Sequence, residues 1–423
     1  MLRVIVAAAI AFFVAAALPV SAADAPSAAA VSQNYADLAE ATYTDSLIEA
    51  RKLKAAVDAL IKTPTEESLA AARKAWIAAR VPYMQTEAFR FGNKIIDDWE
   101  GRVNAWPLDE GLIDYVSQDY ADQSPDNDLY TANVIANTSI KIGGEDVDTS
   151  KITKALLSDK LREAGGVESN VSTGYHAIEF LLWGQDLNGT GAGAGRRPAS
   201  DYDTTACTGG HCDRRGQYLE AATDLLVDDL TYMAAQWGAE GAARKVVMGD
   251  DGRAGIVALF KGLGSLSYGE MAGERMKLGL LIHDPEEEQD CFSDNTHNGL
   301  YYDVVGIRNV YAGNYKRIDG AVISGPSASD LVRAKSPEAD VRTREAIDAT
   351  LKNMRAIVDR ANGGEAYDQM IGEGNEAGNA LVEQTIQTLI AQSKEFERDI
   401  AVLDLKAIAF EGSDSLDGPG AVR

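Results

Sequence analysis

Residues 172–184 read Ser-Thr-Gly-Tyr-His-Ala-Ile-Glu-Phe-Leu-Leu-Trp-Gly, and their spacing sets how the rest of the chain is read. Gly174, His176 and Glu179 form G-x-H-x-x-E, followed by the apolar run Phe180-Leu181-Leu182-Trp183. In a helix, positions three apart lie on one face, about a turn from each other. The His176 imidazole and the Glu179 carboxylate would then point the same way. Ile178, Leu181 and Leu182 help bury the same helix, so two polar groups sit in a segment meant for a core. Such groups need a partner or a metal. Carboxylate metal sites inside helix bundles use this pairing of one Glu and one His at i,i+3. The plainer alternative is a buried imidazole bonded to a carboxylate as structural glue.

The chain has 423 residues and opens Met1-Leu2-Arg3, then runs apolar from Val4 to Val20 and small through Ser21-Ala22-Ala23. One basic residue, a short hydrophobic run and a small-x-Ala end describe a secretory signal peptide over residues 1–22, cleaved after Ala22. The alternative is a membrane anchor, which the small-residue site and the Ala- and Ser-rich segment after it disfavour. Cysteine is absent near that site, so a lipid-attachment signal is not expected. No later apolar run is long enough to span a bilayer. The expectation is a soluble protein exported across the inner membrane, periplasmic or associated with the outer membrane. The formal charge is −25. So acidic a chain is not expected to track nucleic acid phosphates, and it can gather cations near its surface. Cys207 and Cys212 lie in Cys-Thr-Gly-Gly-His-Cys, which reads as a short-loop disulfide in an exported protein, with a metal site including His211 as the alternative. Cys291 is left over.

Abundant Ala, few Pro and long amphipathic segments point to an all-α protein. Residues 33–62 read as one helix, with Tyr35, Leu38, Ala39, Tyr43, Leu47 and Leu53 at helical spacing. Thr63-Pro64-Thr65 breaks it, and a second helix is expected from Thr65 to Phe91. Steps of four and three would put Trp76, Arg80, Tyr83, Glu87 and Arg90 on one face of that helix, as a functional stripe or as a salt-bridge ladder. Residues 93–150 read as a loop-rich insertion, 151–165 as a short helix, 186–211 as a Gly-rich loop and 213–237 as a helix closing a first bundle. That loop is no phosphate cradle, because no strand precedes it and no Gly-Lys-Ser/Thr follows. A second half has helices over 254–282, from Cys291-Phe-Ser-Asp-Asn-Thr-His297 onward, and over 337–361 and 376–410. Ser293, Asp294 and Asn295 also read as ordinary N-cap residues. The halves echo each other, with Asp109 before Asp114-Tyr115 in one and Asp294 before Tyr302-Asp303 in the other. The expected architecture is two four-helix-bundle domains, 33–238 and 253–412, related by internal duplication.

The assembled residues resemble the imelysin family, and within it the iron-regulated protein A branch, over roughly residues 33–410. Gly174-x-His176-x-x-Glu179 is the signature. Trp76-x-x-x-Arg80, Phe89-Arg90-Phe91-Gly92, Trp106-Pro107-Leu108-Asp109 and Ser293-Asp294-Asn295-Thr296-His297 support it. The resemblance implies two helical bundles, export, and a site at the bundle interface around the signature. Family members are associated with iron uptake, and some were classed as metallopeptidases after an insulin-cleaving relative.

One reading is a metal-binding protein of iron acquisition, which would hold the ion itself or a chelate and work with membrane components of iron uptake. His176, Glu179, Glu87 and Asp109 would be its ligands. Arg80, Tyr83, Arg90, Trp106, Asp294 and His297 would surround them. An oxygen-rich set with one imidazole suits iron or manganese, and zinc less well. A metallopeptidase is the second reading. Hydrolytic zinc commonly wants two His and a Glu with an open position. The four histidines are followed by Ala177, Cys212, Asp284 and Asn298, so H-E-x-x-H is absent, and Phe180 after Glu179 rules out H-x-x-E-H. His297 would be the best distant second His, whereas His283 reads as a solvated helix end. The third reading is surface adhesion or glycan binding.

Overall fold

The computed structural model describes residues 25–120 and 123–420, so the expected signal peptide over 1–22 lies outside the described residues. The chain is mostly helical. Eight long helices carry the fold. They are α1 (Ala28–Lys62), α2 (Glu66–Met84), α3 (Gly174–Trp183), α4 (Cys212–Trp237), α5 (Arg253–Ser265), α6 (Thr296–Ala312), α7 (Pro337–Asn362) and α8 (Glu376–Val402). α5 continues through a π-helical stretch, Leu266–Lys277, into Leu278–Ile282.

α1 starts five residues before the expected position because the Ser27 hydroxyl caps it, accepting from the Ala30 amide. Its face of Tyr35, Leu38, Ala39, Tyr43, Leu47, Ala50, Leu53, Val57 and Leu60 is buried at helical spacing. That face packs on α2 and α4, and α3 lies against both. α8 packs on α5 and α7, and α6 packs on α7. α6 also meets α2, and α1 meets α5, so the buried apolar side chains form one continuous cluster from Val31 to Ile400.

α2 stops at Met84, not at Phe91. Pro82 removes a backbone donor within its last turns. The Thr86 hydroxyl and amide then both donate to the Tyr83 carbonyl, at 2.6 and 2.7 Å, closing the helix end. The chain turns into a short 3-10 segment, Glu87–Phe89, pressed against its neighbours. At Gly306 of α6 a Cβ would sit 2.7 Å from the Gln85 carbonyl oxygen. Glu87 and Arg90 therefore leave the face that Trp76, Arg80 and Tyr83 share.

Within the insertion, β1 (Ser139–Ile142) and β2 (Glu145–Asp148) form a hairpin that the loop reading missed. Its turn is Gly143-Gly144, both at positive φ, the requirement of a two-residue hairpin turn. A second short hairpin joins β3 (Asn314–Lys316) to β4 (Val322–Ser324). The insertion is held by Arg214 of α4, whose guanidinium donates to the carbonyls of Val134, Ile135, Asn137, Thr149 and Ser150. Asp114 is fixed between Arg215, at 2.6 Å, and Arg197, at 2.7 Å.

Candidate metal centre

α3 is positioned by its first residue. Gly174 has φ +83°, and a Cβ there would lie 2.5 Å from the Val103 carbonyl oxygen. Only glycine combines that backbone with that approach. The Tyr175 amide donates to the same carbonyl at 2.7 Å, which sets Asn104 beside His176. Trp76 of α2 donates its indole N–H to the Tyr175 carbonyl at 2.9 Å. At the other end, Arg73 of α2 donates to the Leu182 and Arg197 carbonyls. The helix is thus pinned to α2 at both termini.

His176 and Glu179 face the same point, with Nδ1 3.1 Å from Glu179 Oε2. A third group joins them from the loop before α6: Asp290 Oδ1 lies 3.8 Å from His176 Nδ1. One ligand atom from each of the three falls within 4.8 Å of the others, and all three side chains are at most 1% exposed. The partners fix the imidazole tautomer. Nε2 is 3.2 Å from Asn104 Oδ1, which also accepts from Arg80 Nη1 at 2.6 Å, while Asn104 Nδ2 donates to Glu100 at 2.9 Å. The Asn104 oxygen can only accept, so Nε2 carries the proton. Burial, and then the Arg80 charge, push His176 down to about 3, so the ring is neutral at physiological pH. Nδ1 therefore presents a lone pair to the two carboxylates.

The carboxylates differ. Burial, and then the negative charge of Asp290, push Glu179 well above its ordinary range. Its Oε1 accepts from the Ser293 amide at 3.0 Å and hydroxyl at 2.7 Å. Oε2 then carries the proton and donates to Nδ1, so the contact is a neutral hydrogen bond and not an ion pair. Burial would raise Asp290 too, but Arg80, at 2.8 Å, holds it below the usual carboxylate range. Asn295 donates to its other oxygen at 3.0 Å. Arg80 is itself buried, with its guanidinium carbon 5.1 Å from the Tyr175 ring centre and 5.6 Å from those of Trp76 and Tyr83. An arginine so enclosed is held by cation–π attraction as well as by Asp290.

The imelysin family model matches residues 39–396. The chain belongs to the imelysin family. Over 72 residues it is 36% identical to iron-regulated protein A of Synechococcus elongatus, a match spanning 17% of this chain and 20% of that relative's length. Among solved structures, an iron-regulated protein A precursor from Parabacteroides distasonis is similar with a TM-score of 0.59 at 20% identity, covering 87% of this chain and 95% of that one. An imelysin-like protein from Psychrobacter arcticum gives 0.54 at 13% identity, covering 92% of this chain and 100% of that one. At these identities the two structures speak for the fold alone.

In this imelysin, six of the sequence-derived site residues lie outside the group that His176 and Glu179 form with Asp290. Glu87 is bound at 2.7 Å to Arg275, in the π-helical stretch after α5, and is not grouped with the His176 ligand atoms, because α2 ends before it. Arg90 lies in the same ion network, 3.5 Å from both Glu100 and Glu270. Asp109 accepts from Ser169 at 2.7 Å and from Asn127, and with Trp106 it walls a neighbouring cavity of about 450 Å³. Arg80 is in place beside Asp290, and Tyr83 stacks on it. Asp294 turns toward a different group of acids. His297 is buried, with Nδ1 unbonded, and is not grouped with His176. Cys207 and Cys212 form a disulfide, and Cys291 is buried and free. Asn295 caps α6 by position only, since its side chain makes no capping bond and serves Asp290 instead. The sequence reading missed Asn104 and Asp290. Asp290 stands one residue before the motif that begins at Cys291.

Proposed function

We propose that this protein binds a transition metal ion, iron foremost, through His176 Nδ1, Glu179 and Asp290, as an exported component of iron uptake. The observation that carries the reading is that His176, Glu179 and Asp290, all buried, bring one ligand atom each within 4.8 Å of the others. An Nε2–H held by an amide oxygen is the outer support that metal-bound histidines need. One nitrogen and two oxygens suit iron or manganese better than zinc, and no second His stands with them. The relatives named iron-regulated protein A support iron, although their names speak of regulation and not of binding. The Arg80 charge opposes a cation, so the site suits an ion that is released again. The disulfide is consistent with an oxidising compartment. No helix among the described residues is long and apolar enough to cross a membrane. Within this reading the two helical units, 33–238 and 253–412, meet around the site. Burial of all three ligands weighs against hydrolysis, because a peptide would have to reach the ion.

Titration with ferrous iron, manganese and zinc, followed by metal analysis, tests the reading. Wild type should take up one ion per chain. His176→Ala with Glu179→Gln should lose that iron at unchanged helical content, and Glu179→Gln alone, which keeps the shape, should bind it far more weakly. No uptake by folded wild type would end the metal reading. Chelator-sensitive cleavage of an unfolded protein, lost in the double variant, would replace it with a peptidase.

A further inference from the structure

A second set of acids lies close to the first and has a different character. Asp186 comes from the loop after α3, Asp294 from the loop before α6, and Asp368 from the short helix Tyr367–Ile371 between α7 and α8. One oxygen from each lies within 4.8 Å of the others. Carboxylates brought so close repel unless something sits between them. Two further observations point to what that is. Asp368 is fully buried, and neither of its oxygens has a hydrogen-bond partner; Asp294 Oδ1 has none either. Glu288, outside the set of three, is 1% exposed with both oxygens equally unbonded. None of the four acids forms an ion pair with a Lys, Arg or His of the described residues. Buried polar groups are ordinarily bonded, and exceptions call for a reason.

We propose that Asp186, Asp294 and Asp368 form a second cation site for a hard divalent ion of the calcium class. The donors are all carboxylate oxygens, with no nitrogen or sulfur, which is the ligand type such ions take. Calcium–oxygen bonds of about 2.3–2.6 Å make a shell roughly 5 Å across, the scale of the observed separations. Asp186 and Asp294 are partly exposed, which leaves room for water ligands and a way in. The ion would tie together three segments distant in sequence. It would also brace the loop that carries Asp290 and Ser293 to the first site, because Asp294 directly follows Ser293. The site does not depend on the His176 centre binding anything.

The test uses the full chain, stripped with a chelator and titrated with calcium chloride by calorimetry and by thermal melting. Wild type should bind one calcium ion and melt at a higher temperature with it. Asp294→Asn with Asp368→Asn should melt higher than wild type without calcium, because repulsion is relieved, and should show no response to calcium. His176→Ala with Glu179→Gln should keep the calcium response in full. Should the Asp variants fail to fold, terbium luminescence on wild type replaces them, and calcium should quench it by competition. No heat, no melting shift and no competed terbium signal in folded wild type up to about 10 mM calcium, beyond the range of weak extracellular sites, would overturn the proposal. So would an undiminished response in the folded Asp double variant, or a response to manganese and iron but not to calcium.

Discussion

Two buried charge clusters sit side by side where α2 meets α5 and α6, and they are built in opposite ways. In one, Arg275 occupies the centre. It donates to Glu87 at 2.7 Å, Asp303 at 2.9 Å and Glu270 at 2.9 Å, so three acids close around one guanidinium. In the other, Arg80 stands to the side of Asp290, and His176 Nδ1 and Glu179 Oε2 are left facing each other without a cation. The first cluster already contains its positive charge and is structural. The second holds its donors in place by Asn104, Ser293 and Asn295, all pointing at them from outside. Acids in a helical core do not by themselves mark a binding site; what separates the two clusters is whether the chain supplies the cation.

The largest expected effect breaks the filled cluster. Arg275→Met strands three carboxylates, and loss of one partner of a buried ion pair costs about 3–5 kcal/mol. Denaturant unfolding should show that loss. Next, two isosteric changes set the clusters against each other. Glu87→Gln gives up a charge-assisted bond to Arg275 and should cost about 1.5–3 kcal/mol. Glu179→Gln imitates a carboxyl that is already protonated and should change stability by less than about 1 kcal/mol, while making metal binding far weaker. Equal losses in both would mean that the His176 centre is as structural as its neighbour. A smaller change tests the outer support. Asn104→Leu frees the Nε2–H and should weaken metal binding by about 10–100-fold, as measured by titration of the folded variant.

Most of the helices were legible in the sequence because their stripes recur every three or four residues over many turns, as on α1 from Tyr35 to Leu60. The end of α2 was not. The step pattern from Trp76 to Arg90 continued past Pro82 and Thr86, and the Thr86 bonds to Tyr83 with the packing of α6 against Gln85 show where the helix stops. The β1–β2 hairpin carried a readable signal, Gly143-Gly144 between Ile142 and Val147, which the surrounding polar residues hid. At the site, His176 and Glu179 were legible because both lie on one helix turn. Asp290 was not, since its contact with Arg80 spans 210 residues and no local pattern encodes it. The motif at 293–297 was visible, but N-cap residues and ligand-positioning residues are the same amino acids. The bonds from Ser293 to Glu179 and from Asn295 to Asp290 tell them apart.

The smallest predicted effect concerns the residue shared by both clusters. Glu100 accepts from Asn104 at 2.9 Å on one side and lies 3.5 Å from Arg90 on the other. Burial, helped by the carboxylates of Glu87 and Glu270 and opposed by Arg90, raises it from 4.5 to about 7. Below pH 4.5 the folded and unfolded chains both hold this proton. Between 4.5 and about 7 the unfolded chain gives it up while the folded chain keeps it, so the contribution of Glu100 to stability falls as pH rises through that window. Above it, both forms are ionised and the fall ends. Glu100→Gln carries no proton to lose in either state and can still accept from Asn104. Melting temperatures of wild type and variant should therefore agree near pH 4 and separate by a few degrees toward pH 7.5, with the variant higher. Acids that Arg holds below their usual range, such as Asp290, give the opposite slope in both proteins and cancel in the difference. Parallel curves, or a variant that melts lower at neutral pH, would mean that Glu100 is ionised in the folded chain. It would then belong with the Arg90 and Arg275 network and not with the neutral amide–imidazole pair that prepares His176.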